Sequence, residues 1–419
     1  MVYGAERRLA VLLSAVIVLT AGIGYFGSGR ANAKPKFTPR PGPVFNNPGG
    51  TTAQQYAIMR QIERNIDASP RGSVIRIAIY SITLDRFAAK LIAAHRRGVH
   101  VKVLMDEHAV NGLWKRLRSA LGGTATTKSK GSFAALCPAG CMAPHYHREN
   151  PSSLHSKYYL FSGGGKSKRT VTVSSANPTR RQAEAAWNNS YTVVGNPGLY
   201  NAYVKNFNDM VKASKGAHKK NYYWTHGKNP KAYFWPKARS GSDTILNMLK
   251  LVSCSRRHPS RVRVAMFQWT DGRIALARRL ARMADKGCQV TVLYTRSAIS
   301  SSVRKTLADS KVTVRDSTYK TRADGYAKHY THNKYVLIDG RYNGVSNRKI
   351  VLTGSANFTI NGLYHNDEAN LRIISSSAYR AYLKNFQDQL AAVPAAAARA
   401  RAEGRLPEIP LHPDDLRDS

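Results

Sequence analysis

The sequence predicts an α/β protein of two pseudo-repeated lobes, each a mixed, mostly parallel sheet flanked by helices. Three observations lead there. A strand, helix, strand unit occurs twice in the same order. The polar landmarks downstream of each unit recur, first as His-x-Lys and then as Ser-Ala-Asn. Finally, the chain has 419 residues, 42% of them hydrophobic, with 31 Gly and 18 Pro, enough for two cores of ordinary domain size.

Taken in order, Glu6-Arg7-Arg8, an apolar run from Leu9 to Phe26 and Ala31-Asn32-Ala33 read as a secretory signal peptide over 1–33, cleaved after Ala33. An uncleaved anchor is the rival, because the 18-residue run reaches the lower limit for a membrane span. Residues 34–43 form a Pro- and Lys-rich linker, and the first lobe is expected over 44–215. Within it, Thr52–Asp67 has helical character, Ser73–Tyr80 is β-rich, Leu84–Arg97 has helical spacing stopped by Gly98, and Val99–Met105 is the next strand. An interlobe linker follows at 216–231 and the second lobe at 232–390. There, Ser242–Leu251 is helical, Ser260–Phe267 is β-rich, Ile274–Lys286 is a helix stopped by Gly287, and Gln289–Tyr294 is a strand. Two β-α-β units imply parallel strands joined by helical crossovers. Residues 391–419, with an Ala/Arg run and Pro407, Pro410 and Pro413, read as a short helical or disordered tail.

Charge narrows the function. With 65 Lys+Arg against 24 Asp+Glu, the net charge is +41, of which +39 remains after residue 33. That excess argues against an enzyme of small neutral metabolites and for work on or near a polyanion: nucleic acid, an anionic membrane or an acidic envelope. Four cysteines in an exported chain suggest the disulfides Cys137–Cys141 and Cys254–Cys288. A zinc site from Cys137, Cys141, His145 and His147 is the alternative reading of the first pair.

The landmarks carry the chemistry. The first is Leu154-His155-Ser156-Lys157, with Asn177 following 22 residues after His155 in Ser174-Ser175-Ala176-Asn177. The second is Thr331-His332-Asn333-Lys334, with Asn357 following 25 residues after His332 in Gly354-Ser355-Ala356-Asn357. On a strand, residues i and i+2 share a side, so each His and its Lys project together. An imidazole beside an ammonium and an amide suits a phosphate: the donors hold the non-bridging oxygens while the imidazole does covalent or proton-transfer work. Two facing sets supply a nucleophile and an acid in line.

These residues resemble the phospholipase D superfamily, whose signature is His-x-Lys-x4-Asp followed by Gly/Ser-Ser/Gly-x-Asn, and the resemblance covers roughly 44–390. His332, Lys334, Asp339, Gly354, Ser355 and Asn357 match the full pattern, and Glu368 stands where the family has a downstream acid. In the first half His155, Lys157, Ser175 and Asn177 match; Ser162 replaces the motif Asp, and Ser190 falls where Glu368 sits in the second half. The resemblance implies an active site between the lobes and a two-step mechanism without metal or other cofactor. His155 attacks phosphorus, His332 protonates the leaving group and then activates the resolving nucleophile, and Lys157, Lys334, Asn177 and Asn357 stabilise phosphoryl charge. It further implies that Ser175 and Ser355 contact substrate, that Glu368 orients a histidine and that Asp339 supports the site. The two histidine roles could be reversed, since the acids survive only in the second half.

Three substrate readings follow. The one favoured at this point is a secreted, monomeric phospholipase D acting on phospholipids, helped by aromatics near likely site loops: Trp114, Trp187, Trp224, Trp235, Tyr222 and Tyr223. The same aromatics would also serve as ordinary core. The second is a secreted nuclease, for which the charge and the basic, aromatic-interleaved stretch Lys212–Lys231 speak. The third is a silent binder of anionic polymers. The segment from His108 to Leu154 is longer than its counterpart Ser297–Thr331, which makes it a surface loop or a substrate-selecting lid.

Overall fold

The computed structural model describes residues 37–142, 152–214, 221–394, 397, 405–413 and 416. The expected signal segment and its cleavage site lie outside them, as do His145 and His147.

The first half contributes β1 (Gly42–Phe45), β2 (Val74–Ile79), β3 (His100–Asp106), β4 (Phe133–Cys137), β5 (Tyr158–Gly164), β6 (Ser167–Ser174), β7 (Ala186–Trp187) and β8 (Asn189–Val193). All but β7 form a seven-stranded sheet ordered β1-β8-β6-β5-β2-β3-β4. The second half contributes β9 (Trp224–His226), β10 (Lys231–Phe234), β11 (Arg261–Met266), β12 (Gln289–Tyr294), β13 (Thr313–Asp316), β14 (Tyr319–Thr321), β15 (Ala327–Thr331), β16 (Lys334–Tyr342), β17 (Val345–Gly354) and β18 (Ala369–Ile374). Eight of these form the sheet β13-β12-β11-β16-β17-β18-β10-β9, and β14-β15-β7 is a small third sheet that joins the halves. β9 and the start of β10 fall within the expected linker 216–231 but belong to the second sheet, a correction to its bounds.

Both large sheets are mixed and mainly antiparallel, which corrects the expectation of mostly parallel strands. The β-α-β units account only for β2-β3-β4 and β11-β12-β13, which are parallel. The other strands enter as hairpins and returns, and these pair antiparallel. The clearest hairpin joins β16 to β17 through Asn343-Gly344, both at positive φ (46° and 78°), the conformation a two-residue turn between twisted strands requires.

The crossover helices are amphipathic for a plain reason: their apolar residues recur every three or four positions. Helix Asp85–Arg96 buries Phe87, Ala88, Leu91 and Ile92, and Gly98 then adopts φ 85°. Helix Ile274–Asp285 buries Leu276, Ala277, Leu280 and Met283 before Gly287 at φ 97°. Strand alternation splits the core into layers. Ile75, Ile77 and Ile79 of β2 face the helices of the first half, whereas Ala78 joins a central cluster shared with Ala265, Leu337 and Leu371 of the second sheet. Two 17-residue helices, Pro197–Ala213 and Ser376–Ala392, are capped by Asn196 and Ser375. They insert Tyr203 and Phe207, and Tyr382 and Phe386, into that cluster. Buried Asn189 fastens the halves: its Nδ2 donates to Asn333 Oδ1 (2.7 Å), and its Oδ1 accepts from Thr353 Oγ1 (2.6 Å) and the Tyr382 hydroxyl (3.0 Å).

Part of the C-terminal tail is packed. Ile409 and Leu411 are buried beside Phe267 and Tyr330, and Ala327 N donates to Pro410 O (2.8 Å). The apolar side chains of 409 and 411 outweigh the Pro and Ala/Arg content that suggested disorder.

Candidate active site

The two His-x-Lys segments lie at the join of the halves, and each is held by the opposite half. Leu154 bridges Asp367 in parallel fashion, and His155 N donates to Asp367 O (3.1 Å). In the same way β15 pairs with β7, and His332 N donates to Trp187 O (2.9 Å). The residue following each anchor therefore meets the other half's imidazole.

Behind His155 that residue is Glu368. Its Oε1 lies 2.7 Å from His155 Nδ1, and its Oε2 accepts from the Ser355 hydroxyl. Both side chains are completely buried. Behind His332 it is Asn188, whose Oδ1 lies 2.9 Å from His332 Nδ1 and accepts from Ser175 Oγ (2.8 Å). Asn188 Nδ2 donates to Gln182 O and Ala186 O, which turns its oxygen toward the imidazole. Asn188, and not Ser190, is thus the counterpart of Glu368. The spacing carries this signal, since eleven residues separate Asn177 from Asn188 and also Asn357 from Glu368.

With acceptors at both Nδ1 atoms, each imidazole presents Nε2 as a lone pair. His332 Nε2 accepts from Lys334 Nζ at 2.9 Å, whereas among the described residues nothing hydrogen-bonds to buried His155 Nε2. Titration agrees. Burial lowers the pKa of His155 while the charge of Glu368 opposes that, and burial reinforced by Lys334, Lys157 and His155 takes His332 well below 6.5. Burial raises Glu368, but His155, Lys157 and the Ser355 hydroxyl outweigh it and keep the carboxyl below its ordinary value. The nearby ammonium groups favour a carboxylate paired with a neutral imidazole.

Lys157 Nζ donates to His155 O (2.7 Å) and sits 5.6 Å from the Tyr80 ring. Asn177 and Asn357 occupy equivalent places: their Oδ1 atoms accept from Ser81 N and Gln268 N, each at 3.4 Å. Asn177 Nδ2 is buried and unpaired among the described residues, as a donor awaiting a phosphoryl oxygen would be.

The structure departs from expectation at Asp339, and gives the serines and cysteines defined partners. The Ser175 and Ser355 hydroxyls donate to Asn188 Oδ1 and Glu368 Oε2, so they brace the groups behind the histidines. Asp339 lies five residues along β16 from Lys334, about 17 Å at strand rise, paired with Lys349 and near Arg261. It is a strand-edge ion pair outside the site. Ser162 occupies the matching place in β5, where its hydroxyl accepts from Val74 N (2.8 Å), so the missing motif acid removes nothing from the site. Cys137 and Cys141 are joined as a disulfide, as are Cys254 and Cys288, both as the sequence suggests, and the alternative zinc reading loses its thiolates. Trp114, Trp187, Trp235 and Tyr222 are buried.

A cleft of about 1300 Å³ adjoins these groups and is lined from both halves. Tyr80, Ser81, Ser153 and Asn366 form the part next to the histidine segments, and Arg180, Arg181, Arg322 and Lys328 bring cations to it.

Two mirrored His, Lys and Asn sets, each braced from the opposite half, meet where the halves join, an arrangement suited to holding a phosphate. The sequence matches the family model described as "Cardiolipin synthase, PLD-like domain" over residues 63–211 and again over 251–390, and the chain belongs to that family. The phospholipase D superfamily that contains it cleaves phosphodiester bonds through phosphohistidine chemistry. Among solved structures, phosphatidylserine synthase from Haemophilus influenzae Rd KW20 is similar at 14% identity and TM-score 0.54, covering 83% of this chain and 86% of that one. Polyphosphate kinase from Porphyromonas gingivalis is similar at 13% identity and TM-score 0.52, covering 84% of this chain. The present chain spans 50% of the kinase's length, and at these identities the likeness concerns the fold. Comparison with the curated proteins gives no match.

Proposed function

We propose that the protein is a phosphodiesterase that works through a phosphohistidine at His155. The observation carrying this is the asymmetry at the two Nδ1 atoms. A carboxylate behind His155 stabilises the cationic imidazole that forms as Nε2 attacks phosphorus, whereas neutral Asn188 leaves His332 readier to release a proton. Substrate anion offsets the lysine charges and allows His332 to carry a proton, which it gives to the leaving oxygen. It then takes one from the water or alcohol that attacks the phosphohistidine. Lys157, Lys334, Asn177 and Asn357 supply donors to the non-bridging oxygens.

The cleft favours a strand carrying several phosphates, hence nucleic acid, because Arg180, Arg181, Arg322 and Lys328 line it beyond the reacting centre. The net charge of +41 agrees with that reading. A phospholipid is the second reading, supported by the family's description and by exposed Val110 at the cleft. Export and a metal-free reaction belong to either reading. Incubation in chelator with single-stranded DNA and, separately, with phosphatidylcholine vesicles separates them. DNA cleavage that weakens with salt supports the first, choline release supports the second, and loss of all activity on chelation contradicts the mechanism.

A further inference from the structure

Outside the reacting centre, the first half holds a second buried acid with a histidine on it. Asp106, at the end of β3, is completely buried. Its Oδ2 accepts from Leu154 N (2.6 Å), the residue before His155, and its Oδ1 accepts from His108 N (2.9 Å) and lies 2.7 Å from His108 Nδ1. His108 itself lines the cleft, with 37% of its side chain exposed. The second half lacks this pair. At the end of β12 stands Thr295, whose hydroxyl donates to Thr331 O (2.7 Å) just before His332. The catalytic sets do not need the dyad, since His332 is supported without one.

We propose that His108, seated on Asp106, is a subsite for the phosphate next to the scissile one. This rests on the reading of the substrate as a multi-phosphate strand. The geometry commits Nδ1–H to Asp106 and leaves the far side of the ring, with Nε2–H when protonated, for the cleft. A phosphate there accepts a charge-assisted bond from a donor whose position is fixed, through Asp106 and Leu154, to the segment bearing His155. The charged surroundings are mixed. Glu107 adjoins His108 but accepts from Ala139 N (2.6 Å). Arg180, Arg181 and Glu184 line the cleft from the first half, and Arg322 and Lys328 from the second. Hydrogen bonding to Asp106 raises the pKa of His108 above 6.5, against the effect of burial, which favours the charged ring.

The test measures binding of a fluorescent single-stranded oligodeoxynucleotide, about six nucleotides long, to the full chain carrying His155→Asn, which prevents turnover. At fixed salt, affinity should fall roughly tenfold from about pH 6 to about pH 9 as His108 loses its proton. Adding His108→Gln should weaken binding to the high-pH level at both values and flatten the slope of log affinity against log salt by about 0.7. His108→Lys should restore tight binding at both. Binding in which His108→Gln changes neither the affinity nor the salt slope overturns the subsite and leaves the nucleic-acid reading standing. A parent protein that does not bind the strand overturns both.

Discussion

The sharpest distinction in the molecule is between two atoms: Glu368 Oε1 behind His155 and Asn188 Oδ1 behind His332. Because Glu368 is what holds the pKa of His155 up, Glu368→Gln should lower kcat by about 10²- to 10⁴-fold and also move the acid limb of the pH–rate profile to lower pH. A loss of packing alone would not move the limb. Conversely, Asn188→Asp places a carboxylate behind His332, favours its protonated form and should extend activity to higher pH. Steady-state profiles on a small phosphodiester check both. The His, Lys and Asn positions were legible in the sequence because strand periodicity and repetition mark them. The eleven-residue offset marks Glu368 and Asn188 as counterparts, but which histidine each meets was not legible, because each comes from the opposite half, across 213 and 144 residues.

At the scale of elements, the crossover units could be read from apolar spacing and the terminating glycines, and the strand Gln289–Tyr294 has the expected bounds. The balance of the sheets was harder to read: Asn343-Gly344 does mark the β16–β17 hairpin, but the antiparallel pairs β2–β5 and β11–β16 join strands far apart in the chain and leave no local signal. The disulfide loop shows how an element reaches the site. Asp367 accepts from Cys141 N (2.5 Å) and Met142 N (3.0 Å), while its backbone oxygen receives His155 N. Replacing Cys137 and Cys141 by Ser should therefore reduce kcat, by about tenfold. Removing Cys254–Cys288, which closes 34 residues, should instead reduce stability by about 3–4 kcal/mol with little effect on kcat. Denaturant melts and kinetics of the two variants separate the effects.

For the whole molecule, charge and burial make two measurable statements. If the four cleft cations each neutralise one phosphate of a single strand, log affinity should fall with log salt at a slope of about −3. The buried imidazoles also bear on stability. His155, His332 and His365 have folded pKa values below 6.5, and that of His329 is lowered to about 4 by burial and by Lys320 and Lys328. The unfolded chain binds more protons than the folded one below about pH 6.5, so stability should fall between about pH 6.5 and pH 4; His108, shifted the other way, opposes this only in part. The central claim is the covalent bond at His155, and intact-protein and peptide mass spectrometry of the His332→Ala variant, quenched after exposure to a phosphodiester with a good leaving group, tests it most directly. The account predicts a phosphoryl adduct on the peptide containing His155 that is absent when His155 is also replaced. An adduct on His332 in the His155→Ala protein, with none on His155, would contradict it.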